Sequence, residues 1–282
     1  MSVASTFNST SAEFDSITPL VWGPAGQALS FALGLKSGEW VLDVCAGTGA
    51  SALPAAAAVG PDGFVHAIDL ADDLLEIGRL KATAAALRNV EFVCADATEW
   101  EAPSTVHGGY DRTGGYDALS CSYGIFFLPD MDLTFSRLVR EVRLGGRVGV
   151  TVWRKGAVED FGNTYFDVIA RHDPGVAHNG PRSKSNYDKN PIRRVETAET
   201  LGSWLEELGC ESVRVQELSN HIPATEEFVW NFVLGSGFRA ALSSFDENTR
   251  AEIRDEFLEL LTARGIDSVD ATTLVATGIR AS

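Results

Sequence analysis

The segment VLDVCAGTGASA, residues 41–52, constrains this chain more than any other. An apolar run carrying Asp43 leads into Gly47 and Gly49, and Ala52 completes GxGxxA spacing ahead of the small, Ala-rich stretch SALPAAAAV, 51–59. Glycine admits positive φ and lets a ligand approach the backbone, because no Cβ intervenes. The pattern therefore predicts a strand, a tight turn and a helix N-terminus in succession, the local arrangement with which open α/β sheets hold nucleotide-like ligands. Taken alone it is generic, and a nicotinamide dinucleotide satisfies it too.

The surroundings repeat the unit. Short apolar runs predict strands over 40–44, 64–68, 90–94, 116–122 and 147–153. Between them lie helical patterns over 51–59, 71–87 and 133–144, the second with acids in its first turn and the last closed by Gly145 and Gly146. A further helix over 196–208 ends at Gly209, a strand follows over 212–218, and a last strand over 272–279 is expected antiparallel at the sheet edge. The fold class is α/β: a doubly wound, mostly parallel sheet of seven strands. One domain, 1–282, is expected, with a core over 37–153 and the second half of the sheet over 196–282. Three segments fall outside the frame and are read as a cap: an N-terminal lid over 1–36, a mobile insertion over 154–195, and a helical insertion over 224–263.

Charge narrows the partners. The chain has 23 Lys+Arg against 39 Asp+Glu, a net −16, which disfavours phosphate backbones and anionic lipid surfaces. No nucleic acid and no membrane are expected. The start MSVASTFNSTSAEFD lacks the basic and apolar regions of a signal peptide, and Cys45, Cys94, Cys121 and Cys210 make no metal-binding cluster, so they read as buried thiols of a cytoplasmic protein. Residues 171–194 oppose the trend with six basic residues and two acids, either a solvated loop or a lid over an anionic substrate. The loop HGGYDRTGG, 107–115, receives no role.

Three carboxylates sharpen the ligand. Asp43 lies inside the first strand, where it opposes a pyrophosphate but suits a ligand with a cationic amine and a sulfonium. Asp69 ends the second strand twenty residues after Gly49, positioned for ribose hydroxyls, and Asp96 ends the third, within reach of an adenine amine. Each alone would pass for a solvated strand-end acid. Their order and spacing together do not.

Here the chain resembles the class I S-adenosylmethionine-dependent methyltransferases, and among them the ubiquinone/menaquinone-biosynthesis type. The matching pieces are VLDVCAGTGA, HAIDLADDLLEIGR, FVCADATEW, YDALSCSYGIFFLPD and LVREVRLGGRVGVTVW. The resemblance implies a Rossmann-like sheet, S-adenosyl-L-methionine as cofactor, and a cofactor set of Asp43, Ala46, Gly47, Thr48, Gly49, Asp69, Leu70, Leu74, Asp96, Ala97, Ser122 and Tyr123. No metal is implied. Many relatives carry ExGxG where this chain has DVCAGTG.

The acceptor is a small molecule, expected to be largely apolar and ring-bearing, because aromatic residues gather in the insertions and at strand tips: Phe7, Phe14, Trp22, Phe126, Phe127, Trp153, Phe161, Tyr165, Trp230 and Phe238. Among five histidines, His66 reads as core, and His107, His172 and His178 as loop residues. His221, after the sixth strand, is the candidate base. Competing readings are an NAD(P)-dependent oxidoreductase and a cofactor-binding protein that assists a rearrangement without methylation. No Tyr has Lys four residues later, which removes the reductase pair. A nucleic-acid methyltransferase is disfavoured by CSYG where an NPPY-like tetrad would stand. The one protein partner considered is a second copy of the chain, as a homodimer.

Overall fold

The computed structural model describes residues 7–107, 114–173, 175 and 190–281. A central sheet is built from β1 (Trp40–Val44), β2 (Phe64–Asp69), β3 (Val90–Cys94), β4 (Tyr116–Ser122), β5 (Val142–Trp153), β6 (Cys210–Leu218) and β9 (Thr273–Arg280). Their order is β3-β2-β1-β4-β5-β9-β6, with β1 to β5 parallel and β9 antiparallel to both β5 and β6. The reversal of direction from β1 falls between β1 and β4, and at such a switch point the strand ends open a crevice for ligands.

The helices are α1 (Ser11–Ile17), α2 (Trp22–Leu33), α3 (Ala52–Val59), α4 (Asp72–Ala84), α5 (Ser104–His107), α6 (Met131–Arg140), α7 (Glu159–His172), α8 (Ala198–Glu207), α9 (Glu226–Leu234) and α10 (Glu247–Ala263). On one face of the sheet Leu42, Leu119, Phe135, Leu138 and Trp204 are buried together. On the other, Ala52, Ala55, Ala56 and Val59 of α3 pack with Leu29, Val41 and Val65, the small side chains letting the helix lie close. A third cluster joins Ile17, Phe161, Phe232 and Phe257 from α1, α7, α9 and α10 above the carboxyl ends of the strands. A two-stranded ribbon, β7 (His221–Pro223) with β8 (Ser268–Asp270), borders that cap.

Four expectations change. The last strand is antiparallel but lies one place in from the edge, because TLVATGIR is apolar enough to be buried on both faces. β6 takes the edge and exposes Glu211, Arg214 and Glu217 there. Gly145 and Gly146 do not cap a helix: α6 stops at Arg140, and both glycines lie inside β5. The first 36 residues are not all lid, since Leu29 and Leu33 of α2, one turn apart, are buried against the sheet layer, while Ala25 of the same helix packs into the cap. The cysteines divide too: Cys121 and Cys210 are buried, while Cys94 is exposed and Cys45 is partly so. The 108–113 part of the Gly-rich loop, and 176–189 of the basic insertion, lie outside the described residues.

Candidate active site

The turn after β1 is shaped by backbone. Gly47 sits at φ +52, and a Cβ there would stand 3.4 Å from the Phe14 ring. Its N–H donates to Asp69 Oδ2 at 2.9 Å, and the Ala71 N–H donates to Oδ1 at 2.9 Å, so the acid at the tip of β2 fixes the turn and the start of α4. Burial pushes the Asp69 carboxyl up, against the pull of those hydrogen bonds. A carboxylate has about four acceptor positions, so two remain for a ligand.

Asp43 lies beneath the turn and is fully buried. Ser51 Oγ donates to its Oδ2 at 2.9 Å and Ser120 Oγ to its Oδ1 at 2.5 Å. Desolvation wins over both and raises its pKa to about 7. Asp96 lies two residues past the end of β3, and its Oδ1 accepts from the Thr98 N–H at 2.8 Å and hydroxyl at 2.7 Å.

A cavity of ≈ 610 Å³ runs across these strand tips toward the cap, a size within the roughly 300–1,000 Å³ of small-ligand sites. Of the residues expected at the cofactor, Ala46, Gly47, Asp69, Leu70, Leu74, Asp96, Ala97, Ser122 and Tyr123 line it. Asp43, Thr48 and Gly49 do not. Thr48 is buried, with its Oγ1 3.4 Å from Thr18 Oγ1 and from Lys81 Nζ. Gly49 faces Leu53 and Phe92 under the loop. Lys81 also pairs with Asp15, which ties α1 over the turn.

At the other end, Phe7, Phe14, Trp22, Phe126, Phe127, Trp153 and Phe238 line the cavity as expected. Tyr123 and Trp153 pack with centroids 4.4 Å apart, and Trp22 stacks on Phe14 at 5.4 Å. Phe161, Tyr165 and Trp230 are absent from the wall. Phe161 and Tyr165 are buried behind it against Phe257, because α7 turns its 161–165–168 face into the cap and its 159–162–163–166 face to the cavity. The residues missed are thus Glu159, Asn163 and Phe166, together with Phe232, Ser236, Arg154, Arg193 and Glu196. The i, i+3, i+4, i+7 pattern of the first three with Gly162 was the signal available.

His221 does not join the site. It is exposed on β7, opposite Asp270 of β8, because the chain leaves β6 into the outer ribbon and not across the sheet edge. His66 is a core residue, its Nδ1 3.0 Å from the Tyr116 hydroxyl, and burial lowers its pKa. His172 closes α7 and lies 3.0 Å from Glu256. His178 is outside the described residues. Of the basic insertion, Arg193 lines the cavity, whereas Arg194 pairs with Asp132 at 2.9 Å. No group of His, Cys, Asp and Glu among the described residues is arranged for a metal ion, and none of the described helices is long and apolar enough to cross a membrane.

An α/β sheet in this order with a glycine turn and strand-tip acids is the architecture of S-adenosylmethionine-dependent methyltransferases. The fold is similar to that of phosphoethanolamine N-methyltransferase 2 of Haemonchus contortus in complex with S-adenosylhomocysteine, at a TM-score of 0.51 and 18% identity over 91% of this chain and 52% of that longer one. In sequence, the chain is 34% identical to aklanonic acid methyltransferase DauC of Streptomyces sp. (strain C5), over 55% of this chain and 67% of that protein. It is 28% identical to the ubiquinone/menaquinone biosynthesis C-methyltransferase UbiE of Enterobacter sp. (strain 638), over 79% and 88%. A sequence model of the ubiE/COQ5 methyltransferase family matches residues 4–228, and the chain belongs to that family. It is an S-adenosylmethionine-dependent methyltransferase, which removes the oxidoreductase reading.

Proposed function

We propose that this enzyme methylates a small, largely apolar, ring-bearing metabolite, a phenol, quinone or polyketide-like compound, on oxygen or carbon. The observation that carries the reading is the single cavity joining the strand-tip acids to an aromatic wall under the cap. The relatives named for aklanonic acid and for ubiquinone/menaquinone biosynthesis support the same class.

The residues fit the cofactor. Positive φ at Gly47 leaves a cradle that a Cβ would fill, Asp69 keeps two acceptor positions for ribose hydroxyls, and Asp96 stands exposed for an adenine amine. S-adenosylmethionine supplies an electrophilic methyl group on a sulfonium. Ser122 and Tyr123, at the tip of β4, are assigned to the methionine end and the acceptor. Asp43, shielded below the loop, braces the turn through Ser51 and Ser120 and does not touch ligand.

The protein's own task is alignment and exclusion of water. Trp22, Tyr123, Trp153 and Phe232 present rigid apolar faces that hold a flat ring in one plane. Helix α1, held by Lys81, is assigned as the lid. Calorimetry with S-adenosylmethionine, followed by transfer of a radiolabelled methyl group to a panel of naphthols, quinols and hydroxyanthraquinones, tests the reading. Transfer to ring compounds and not to small polar amines is the expected result. Cofactor binding without transfer to any of them would instead favour a role in rearrangement.

A further inference from the structure

A phenol, enol or ring carbon that gains a methyl group must lose a proton, and a positioned base contributes about 10²- to 10⁴-fold to such a step. No histidine stands among the described residues of the cavity wall. The other titratable side chains there can be taken in turn. Asp69 and Asp96 belong to the cofactor end, where their oxygens hold loop N–H groups. The Cys45 thiol shares a hydrogen bond with the Cys121 thiol, which holds its proton firmly. The Tyr123 hydroxyl is committed to Thr273 Oγ1, whose own proton goes to the Ala271 carbonyl at 3.1 Å. Glu159 is exposed in the first turn of α7.

Glu196 remains, and it is 9% exposed on the wall of the cavity. Arg193 Nη1 donates to its Oε2 at 2.7 Å, a charge-assisted contact that fixes the orientation of the carboxylate. Its main-chain carbonyl accepts the Lys155 N–H at 2.7 Å, which anchors it at the tip of β5 beside Arg154. Arg154 is itself occupied with Asp270 at 2.6 Å, so it does not compete for Glu196. Oε1 has no hydrogen-bond partner among the described residues.

Building on the methyl-acceptor reading above, we propose that Glu196 is the general base of this enzyme and that Arg193 is its positioning residue. The acceptor's phenolic or enolic O–H bond breaks and its proton passes to Oε1; where the methyl goes to carbon, the pair reaches the ring carbon through the conjugated phenolate or enolate. The electron pair left on the acceptor forms the new bond to the methyl carbon, whose former bonding pair stays on sulfur. Glu196 then returns the proton to water.

The test is Glu196→Gln in the full chain, read in two ways. Alizarin, a hydroxyanthraquinone whose colour reports ionisation, is titrated while bound. In the wild type the facing carboxylate opposes ionisation of the phenol, so the bound dye should ionise about one pH unit lower in E196Q. An unchanged titration would overturn the proposal, and this readout needs no turnover. With a ring acceptor that the wild type methylates, kcat should fall by about 10²- to 10⁴-fold, with KM, cofactor affinity and Tm little changed. Full activity in E196Q, or a loss matched by a fall in Tm with an unaltered pH profile, would assign Glu196 to structure alone. A wild type that methylates no ring compound would count against the function proposed above and leave the alizarin result to decide on Glu196.

Discussion

The two ends of the cavity are made of different material. At the cofactor end the shape comes from main chain: a left-handed glycine, two N–H groups captured by Asp69, and strand tips set by parallel pairing of Asp43 with Ala67 and Ser120. At the acceptor end it comes from side chains on α1, α7, α9 and the tips of β4 and β5. A backbone-built site depends on a few local residues and tolerates little change. A side-chain-built site can be altered one ring at a time while the sheet beneath it stays intact, which is how one fold serves many acceptors.

Helix α7 offers the largest contrast. Phe161 and Phe166 lie about 1.4 turns apart on different faces. Phe161→Ala should cost about 3–5 kcal/mol in denaturant unfolding, as for a buried aromatic, whereas Phe166→Ala, at a ring half-buried against Tyr165 and Phe238, should cost less than half as much and raise the acceptor KM. Equal stability losses would show that the cap has no distinct lining face.

Asp43 comes next. Its pKa of about 7 in the fold exceeds the ordinary 3.8, so the native state keeps a proton that the unfolded chain has released. Between those two values stability should fall as pH rises, by on the order of 4 kcal/mol across the window, and level off above it. Asp43→Asn should flatten that slope in pH-dependent melts. A slope of the opposite sign would show that the two serines hold the carboxylate ionised.

Asp69→Ala removes an acceptor of hydrogen bonds to a charged group, worth about 1.5–3 kcal/mol. Calorimetry should show the loss in cofactor affinity, with alizarin binding to the other end unaffected. Smallest is Lys81→Ala. Its pair with Asp15 is one-third exposed, so the stability cost should stay below about 1 kcal/mol, but cofactor dissociation should quicken in stopped-flow displacement.

The same division explains what could be read in advance. The strands at 40–44 and 90–94, and the turn between β1 and α3, follow from apolar runs and glycine spacing, which are local signals. The acids Asp69 and Asp96 were legible for the same reason: one is the last residue of its strand and the other follows its strand by two residues. The acceptor end was not, because which face of α7 turns inward depends on α9 and α10 packing against it. Glu196 carries no motif at all. It reaches the site through one main-chain hydrogen bond to Lys155, forty-one positions away in sequence. His221 failed for the converse reason: its position after β6 is right for a sheet-edge residue, but a three-residue ribbon carries it outward.

Gly235, at the end of α9, shows how the two ends communicate. A Cβ there would stand 2.7 Å from the main chain of Glu13 and Phe14, so α1 and α9 touch backbone to backbone. The same short helix is moored to the cofactor side by Lys81 and Thr48. A helix fastened at both banks of a channel works as a drawbridge. It cannot swing off the glycine turn without dragging the cap, and a ring compound wedged under the cap would therefore delay the exit of the spent cofactor.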